Sequence, residues 1–397
     1  MATAPSLATR RSGSAALVAV LLCALTPRCI VSQEGIEPTS YLKMQGGAPS
    51  YHVQDVWAAH AHLPNYEQVQ QAAGDTFDYL PKEYLRDYRN PCWRRDPPEA
   101  GPDGPAAFKC LPYFQILGVS KCGTTDLYHR LTANPDMVEC AWKGPHFWDE
   151  SNYPANRKSD KYDGSFPAYV RIFDKPASKI EKRASAVTGE ASSNTFTGVL
   201  TYTRGVRWPR TLNVTLAQLL WEATPWARFI VLMRDPVSRY YSAYHYYRPK
   251  SMGKGSPEEF HERTVSDIRQ WTECMAKLQH EPSCLKAYVP QQLIKGMYAG
   301  FLPVWLEVWP RNRLLLMRTE DYKAAPVAHV AATAAFLGMT PMGDAEAEAA
   351  ERMAAHNVKS YSTMLNKTRD LLQDFYRPWN QRLSVLMSDD PRWTWGY

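Results

Sequence analysis

The stretch GVSKCGTT, residues 118–125, follows an apolar run from Tyr113 to Leu117 and precedes a segment, Asp126 to Thr132, that reads as the start of a helix. A strand, a glycine-bounded loop and a helix N-terminus, in that order, make a phosphate cradle. The first N–H groups of a helix have no intrahelical acceptor, and the helix dipole adds to their attraction for an anion. Two later segments repeat the strand-then-helix logic. RFIVLMRDP, 228–236, reads as a buried strand stopped by Asp235-Pro236, with a helix from Val237 to Tyr247 that has Pro236 near its first turn. RLLLMRTEDY, 313–322, is another apolar strand, followed by an alanine-rich helix ending at Gly338. The alternation predicts an α/β fold with a central parallel sheet flanked by helices and ligands at the carboxyl ends of the strands. The Gly118 loop and Arg234 both fall at such ends, so they are expected to meet at one site.

The loop fails the decisive test of a nucleotide triphosphate site. A Walker A motif places Lys directly after its second glycine, followed by Ser or Thr for magnesium. Here Thr124 and Thr125 follow Gly123, and Lys121 stands two positions before it. The cradle remains, but the triphosphate machinery does not. Arg234 has the chemistry for a second phosphate, because a guanidinium offers a bidentate fork. Ser238 and Ser242 lie one turn apart on one face of the following helix. The competing reading of Arg234-Asp235 is a local ion pair at a strand end.

GVSKCGTT resembles the 5′-phosphosulfate loop of sulfotransferases, and RDPVSRYYSAY, 234–244, resembles their 3′-phosphate motif. The resemblance implies a P-loop-like sulfotransferase fold and 3′-phosphoadenylyl sulfate as co-substrate. It assigns Lys121, Cys122, Gly123, Thr124 and Thr125 to the phosphosulfate, and Arg234 and Ser242 to the 3′-phosphate. PYFQILGVSKCGTTDLYHRL, KGPHFW, GEASSNT and DFYRPWNQRLSVLMSDDPRWTW together are similar to carbohydrate sulfotransferases that act at O6 of N-acetylgalactosamine 4-sulfate in chondroitin and dermatan chains. Heparan sulfate 3-O- and N-sulfotransferases share the nucleotide motifs and are the alternative.

One departure from that family concerns the base. Its members carry Lys-Glu-x-His-Phe/Trp-Phe/Trp, whose glutamate is the proposed catalytic base; here Lys143-Gly144-Pro145-His146-Phe147-Trp148 has glycine instead. Glycine has no proton acceptor. His146 is the nearest replacement, since a neutral imidazole accepts protons near neutral pH, and Glu190 and Asp149 follow. The expected catalytic residues are Lys121, which stabilises the transferring group, and His146. A glycan-binding protein that has lost turnover is the reading from another class. Candidate substrate contacts are Lys143, Glu190, Arg204 and Arg207, with Ser192, Arg210 and the cations between 151 and 183 as further possibilities, because oriented cations steer polyanions. Trp142, Trp148 and Trp208 are the tryptophans expected near the cleft.

At 397 residues, 45% hydrophobic and 22% charged, the chain can bury a substantial core. Its net charge of +6, without long runs of like charge, suits an anionic partner and by itself does not identify nucleic acid; the resemblance implies that the partner is a sulfated glycosaminoglycan. Arg10 and Arg11 precede an apolar stretch from Ala15 to Leu25, the layout of a secretory signal. Residues 1–32 are therefore read as a signal peptide or type II signal-anchor, 33–75 as a stem, and 76–397 as a luminal domain whose catalytic part begins near Pro112. Location in the Golgi lumen follows from the resemblance, with membrane attachment if the segment is uncut and secretion if it is cut. In an oxidising lumen disulfides persist. Cys274 with Cys284, and Cys92 with Cys110, are the expected pairs; the cysteine spacings lack the CxxC and HxxxH patterns of zinc sites, so no metal is expected. Asn213-Val-Thr215 and Asn366-Lys-Thr368 are glycosylation sequons.

Overall fold

The computed structural model describes residues 52–95, 107–149, 162–200, 213–253, 255–354, 356 and 360–397. The expected N-terminal signal or anchor lies outside these residues. Among those described, no helix is long and apolar enough to cross a membrane.

Five parallel strands form the central sheet, in the order β4-β5-β3-β6-β7. They are β3 (Phe114–Gly118), β4 (Met137–Val138), β5 (Val187–Glu190), β6 (Arg228–Met233) and β7 (Leu314–Arg318). Every residue of β3, β5 and β6 is buried, as expected for strands covered on both faces. The apolar runs read from the sequence are thus the centre of the sheet, with β3 between β5 and β6. A separate antiparallel pair, β1 (Cys92–Arg95) and β2 (Ala107–Cys110), is closed by the Cys92–Cys110 disulfide between residues directly opposite each other.

The helices that matter for the site are α1 (Val53–Ala58), α2 (Tyr66–Ala72), α3 (Thr124–Leu131), α4 (Leu216–Ala223), α5 (Pro236–Tyr247), α6 (Pro257–Leu278), α7 (Pro326–Phe336) and α8 (Asn366–Leu386). Their starts follow local chemistry. Thr215 caps α4 and Ser256 caps α6, each in a reciprocal capping box. Asp235 caps α5, with Pro236 in the first turn, where its missing N–H costs nothing. The second expected disulfide, Cys274–Cys284, ties the end of α6 to the following helix, Glu281–Ala287.

The core is rich in large aromatics. Trp305 and Trp309 lie against Phe229 of β6, and their indole N–H groups donate to Phe196 O and Ala217 O, both at 3.0 Å. Each such side chain contributes on the order of 2–3 kcal/mol from burial. Trp148, expected near the cleft, belongs to this core as well, packed among Phe147, Phe166 and Tyr169 and buried from solvent.

Residues 52–75 differ from the loose extension the sequence suggests. Their α1 and α2 place Val53, Val69, Ala72 and Ala73 in the main core, and Trp57 against Trp226. Short helices with few apolar residues leave little periodicity to read, and partners more than 150 positions away supply the burial.

Candidate functional site

The phosphate-type loop runs from the end of β3 to the start of α3. At Gly118, φ is 151°, and a Cβ there would stand 2.8 Å from the Ser193 carbonyl oxygen, so the approach of the segment after β5 requires glycine. Gly123, at φ 92°, is the N-cap of α3 and supplies no side-chain cap. The N–H groups of the first turn are therefore directed to whatever anion enters the loop. Lys121, between the glycines, also has a left-handed backbone, φ 71°. That conformation costs a residue with a Cβ about 1–2 kcal/mol. The Lys121 ammonium lies 3.7 Å from the centroid of the Tyr246 ring, at the end of α5, a cation–π contact that sequence inspection did not reveal.

Other contacts fix the loop from outside. The Thr319 hydroxyl, just after β7, is 2.7 Å from Cys122 O and 3.1 Å from Met233 O, so it joins the loop to the end of β6. Lys143 Nζ donates to Thr124 Oγ1 at 3.3 Å. Cys122 is itself buried, and loss of solvent pushes its thiol up to about 11, against the opposing influence of Arg239.

Arg234 stands at the carboxyl end of β6, and its Nη1 donates to the Lys121 carbonyl at 3.4 Å. The two motifs therefore meet, as their strand-end positions imply. Asp235 accepts from Val237 N at 3.2 Å, from Ser238 N at 3.1 Å and from the Ser238 hydroxyl at 2.5 Å, which makes it the cap of α5. Ser242 is one turn beyond Ser238 on the same half-buried face. Lys323 adds another cation here; burial lowers its pKa first, and the charge of Arg234 lowers it further. Chain-terminal residues buttress the turn: Tyr397 OH donates to Asp235 Oδ1 at 2.7 Å, and Trp395 Nε1 to Glu320 Oε2 at 3.0 Å. Glu320 Oε1 in turn accepts the Asp235 N–H at 2.9 Å. A lysine, an arginine and an uncapped helix start at one sheet end fit a doubly anionic ligand.

The 143–149 segment lies beside this loop through Lys143. His146 has φ 55°, again left-handed, and is held through its backbone N–H and its Nδ1. Its N–H donates to Ser192 Oγ at 2.9 Å, and Nδ1 is 2.8 Å from Asp149 Oδ2. The Asp149 side chain is fully buried and also accepts from the Thr195 hydroxyl at 3.3 Å. A carboxylate on Nδ1 keeps the proton there and puts the lone pair of a neutral ring on Nε2. Gly144 has φ 75°, and a Cβ at that position would stand 3.6 Å from His146 Nε2 and 3.1 Å from Ala191 O. The imidazole nitrogen thus borders the space into which a side chain at 144 would start.

Glu190 ends β5 beneath this loop. Its Oε2 accepts from Ser192 Oγ at 2.6 Å, and Oε1 is buried without a partner among the described residues. Burial raises its pKa to about 7 from 4.5, with Asp149 adding to the rise and the Ser192 hydroxyl and His146 opposing it. The folded pKa exceeds the unfolded one, so the stabilising contribution is complete below about 4.5 and is lost as pH rises through about 7. At about 1.4 kcal/mol per pH unit the loss is on the order of 3 kcal/mol. Glu190→Gln, an uncharged isostere, should flatten the dependence of Tm on pH across that interval and raise Tm above neutrality; a slope equal to that of the wild type would show that Glu190 stays ionised.

Of the other candidates, Arg204, Arg207, Trp208 and Arg210 lie outside the described residues, as do Arg157, Lys158 and Lys161. Lys175, Lys179, Lys182 and Arg183 are exposed.

A family model described as Sulfotransferase domain matches residues 112–377, more than half of the chain. The chain belongs to the sulfotransferase family. This sulfotransferase is 26% identical to human carbohydrate sulfotransferase 15 in an alignment that covers 83% of the chain and 69% of the relative. The rat protein of the same name is 28% identical over 71% of the chain and 54% of its own length, so the chain spans little more than half of some relatives. Human bifunctional heparan sulfate N-deacetylase/N-sulfotransferase 2 is 23% identical over 79% of the chain and 33% of its own length. A solved sulfotransferase from Alicyclobacillus acidocaldarius aligns with 71% of the chain and 98% of its own, at 25% identity and a TM-score of 0.48.

Proposed function

We propose that this sulfotransferase moves sulfate from 3′-phosphoadenylyl sulfate to a glycosaminoglycan hydroxyl, with O6 of N-acetylgalactosamine 4-sulfate as the preferred acceptor. The observation that carries the reading is the contact of Arg234 with the Lys121 carbonyl, which merges two anion-binding motifs into one site. Bound there, the co-substrate supplies an activated sulfuryl group. Lys121, Cys122, Gly123, Thr124 and Thr125 hold its phosphosulfate through N–H, hydroxyl and ammonium donors, and Arg234 with Ser242 holds the 3′-phosphate. Lys121 offsets the charge that develops as the bond from sulfur to the phosphate oxygen breaks. His146, oriented by Asp149, takes the proton of the acceptor hydroxyl on Nε2 as the new oxygen–sulfur bond forms. Lys143 borders the acceptor side, with Arg204 and Arg207 as further contacts to a polyanionic chain, whereas Glu190, expected as a substrate contact, is buried beneath the loop and reaches it through Ser192.

The carbohydrate acceptor is supported by the names of the relatives, and its galactosamine identity by the sequence motifs. The two disulfides fit an oxidising compartment, so we place the folded chain, from residue 52 onward, in the Golgi lumen behind a signal or signal-anchor at 1–32. The test is transfer of labelled sulfate from 3′-phosphoadenylyl sulfate to chondroitin 4-sulfate, desulfated chondroitin and heparosan in parallel. The proposal expects chondroitin 4-sulfate to be the best acceptor. Preference for heparosan would move the protein to heparan sulfate synthesis. Nucleotide binding without transfer to any glycan would mean that Gly144 has ended catalysis.

A further inference from the structure

A second cluster of ligand-type side chains lies away from the phosphate loop, where the N-terminal helices meet α4. His60 Nε2 and His62 Nδ1 approach the same carboxylate oxygen, Glu222 Oε2, at 3.1 and 2.7 Å. The three donor atoms all lie within 4.8 Å of one another. The side chains of His60 and Glu222 are 4% and 0% exposed, and that of His62 is 54% exposed. Glu222 is six residues before Arg228, at the amino end of β6, whereas the candidate nucleotide site is at the carboxyl ends of the strands. The sulfuryl-transfer reading gives this cluster no task.

We propose that His60, His62 and Glu222 form a binding site for one divalent first-row transition ion of the Zn2+ type. Two imidazoles and one carboxylate are a frequent zinc donor set, and three protein ligands leave a fourth position open. Tetrahedral bonds of about 2.0–2.1 Å set ligand atoms a little over 3 Å apart, against 3.1 and 2.7 Å from Glu222 Oε2 to the two ring nitrogens. The surroundings fix each ligand. Glu222 Oε1 accepts the Leu63 N–H at 2.7 Å, which leaves Oε2 as the ligating oxygen. The His62 ring stacks on Tyr66 at 3.8 Å, and the His60 ring leans on Trp221 at 5.3 Å. Trp221 Nε1 also donates to Ala61 O at 3.3 Å, so the turn carrying both histidines is anchored to the helix that carries Glu222. The open side is a cavity of about 430 Å³ lined by these three residues with Trp57, Tyr66 and Lys82 among others, which gives water or a small anion access to the fourth position. Bound there, the ion cross-links the 52–73 segment to α4 and so stabilises the folded chain by linkage.

The full chain, stripped with a chelator, is titrated with Zn2+ by calorimetry and with Co2+ by visible absorption, beside His62→Gln, His60→Gln and a His129→Gln control. The expected result is one ion per chain, Co2+ bands of a low-symmetry N/O site, and a rise in Tm with Zn2+. The His62→Gln and His60→Gln variants should lose about 100-fold or more in affinity, and the control none, since even outer-shell changes cost 10–100-fold. His62 is largely exposed, so its variant is expected to keep the chelated Tm of the wild type, which separates loss of a ligand from loss of fold. Absence of stoichiometric binding by the wild type, or wild-type affinity in His62→Gln, overturns the proposal.

Discussion

Lys121→Ala is expected to lower kcat for sulfuryl transfer by about 10²- to 10³-fold, the usual cost of removing one preorganised donor from the site of developing charge. The ammonium is positioned before any ligand arrives. The backbone of Lys121 is held left-handed, and the Tyr246 ring holds its charged end. Preorganisation is what makes such a group effective, because it needs no rearrangement during the reaction. Affinity for 3′-phosphoadenosine 5′-phosphate should fall much less, since Arg234, Ser242 and the first-turn N–H groups remain. Single-turnover rates with a parallel titration of the nucleotide give both quantities. An equal loss in binding and in kcat/KM would make Lys121 a ground-state contact and remove it from the chemistry.

His146→Ala carries the other large effect, an expected loss of about 10²- to 10⁴-fold in kcat with nucleotide affinity unchanged. Two variants separate chemistry from structure. His146→Asn tolerates the left-handed backbone and keeps the N–H that Ser192 accepts, yet has no basic nitrogen. It should therefore fold like the wild type and be as slow as the alanine variant. The acidic limb of the pH–rate profile should disappear in both, because that limb reports protonation of the base. Full activity in His146→Asn would assign the proton to another group, and Glu190 is the nearest carboxylate that burial has made basic. Restoring a glutamate at 144 is a poorer probe. The residue there must hold φ 75°, with its Cβ 3.1 Å from Ala191 O, so Gly144→Glu changes the backbone together with the chemistry.

What the sequence reveals follows the kind of interaction that fixes each element. The strands β3, β6 and β7 are continuous apolar runs and the loop is marked by its glycines, so they were legible, as were the helix after Asp235-Pro236 and both disulfides. β5 was not seen as a strand, because Val187-Thr-Gly-Glu190 is short and half polar and is buried by pairing with β3. β4 is two residues long and carries no period at all. Within the site, the meeting of the Gly118 loop with Arg234 was legible from their strand-end positions, whereas the roles of Lys121, Arg234 and His146 came from the resemblance. The groups that position them were not legible. Tyr246, Thr319, Tyr397 and Trp395 reach the site from positions 75 to 197 residues from their partners, and an aromatic or a threonine has no spacing that announces such a task. The same holds for Glu222, 160 positions from His62, without which the two histidines are an ordinary pair.

Cysteine in a ligand-binding loop is normally a point of chemical vulnerability, because a thiolate there invites alkylation, mixed disulfides or oxidation. Cys122 escapes by being on the inner wall of the loop, where its proton is held well into the alkaline range. A loop so constructed is insulated from the redox state of its surroundings: the oxidants that close Cys92–Cys110 and Cys274–Cys284 have no thiolate to attack at the centre of the site.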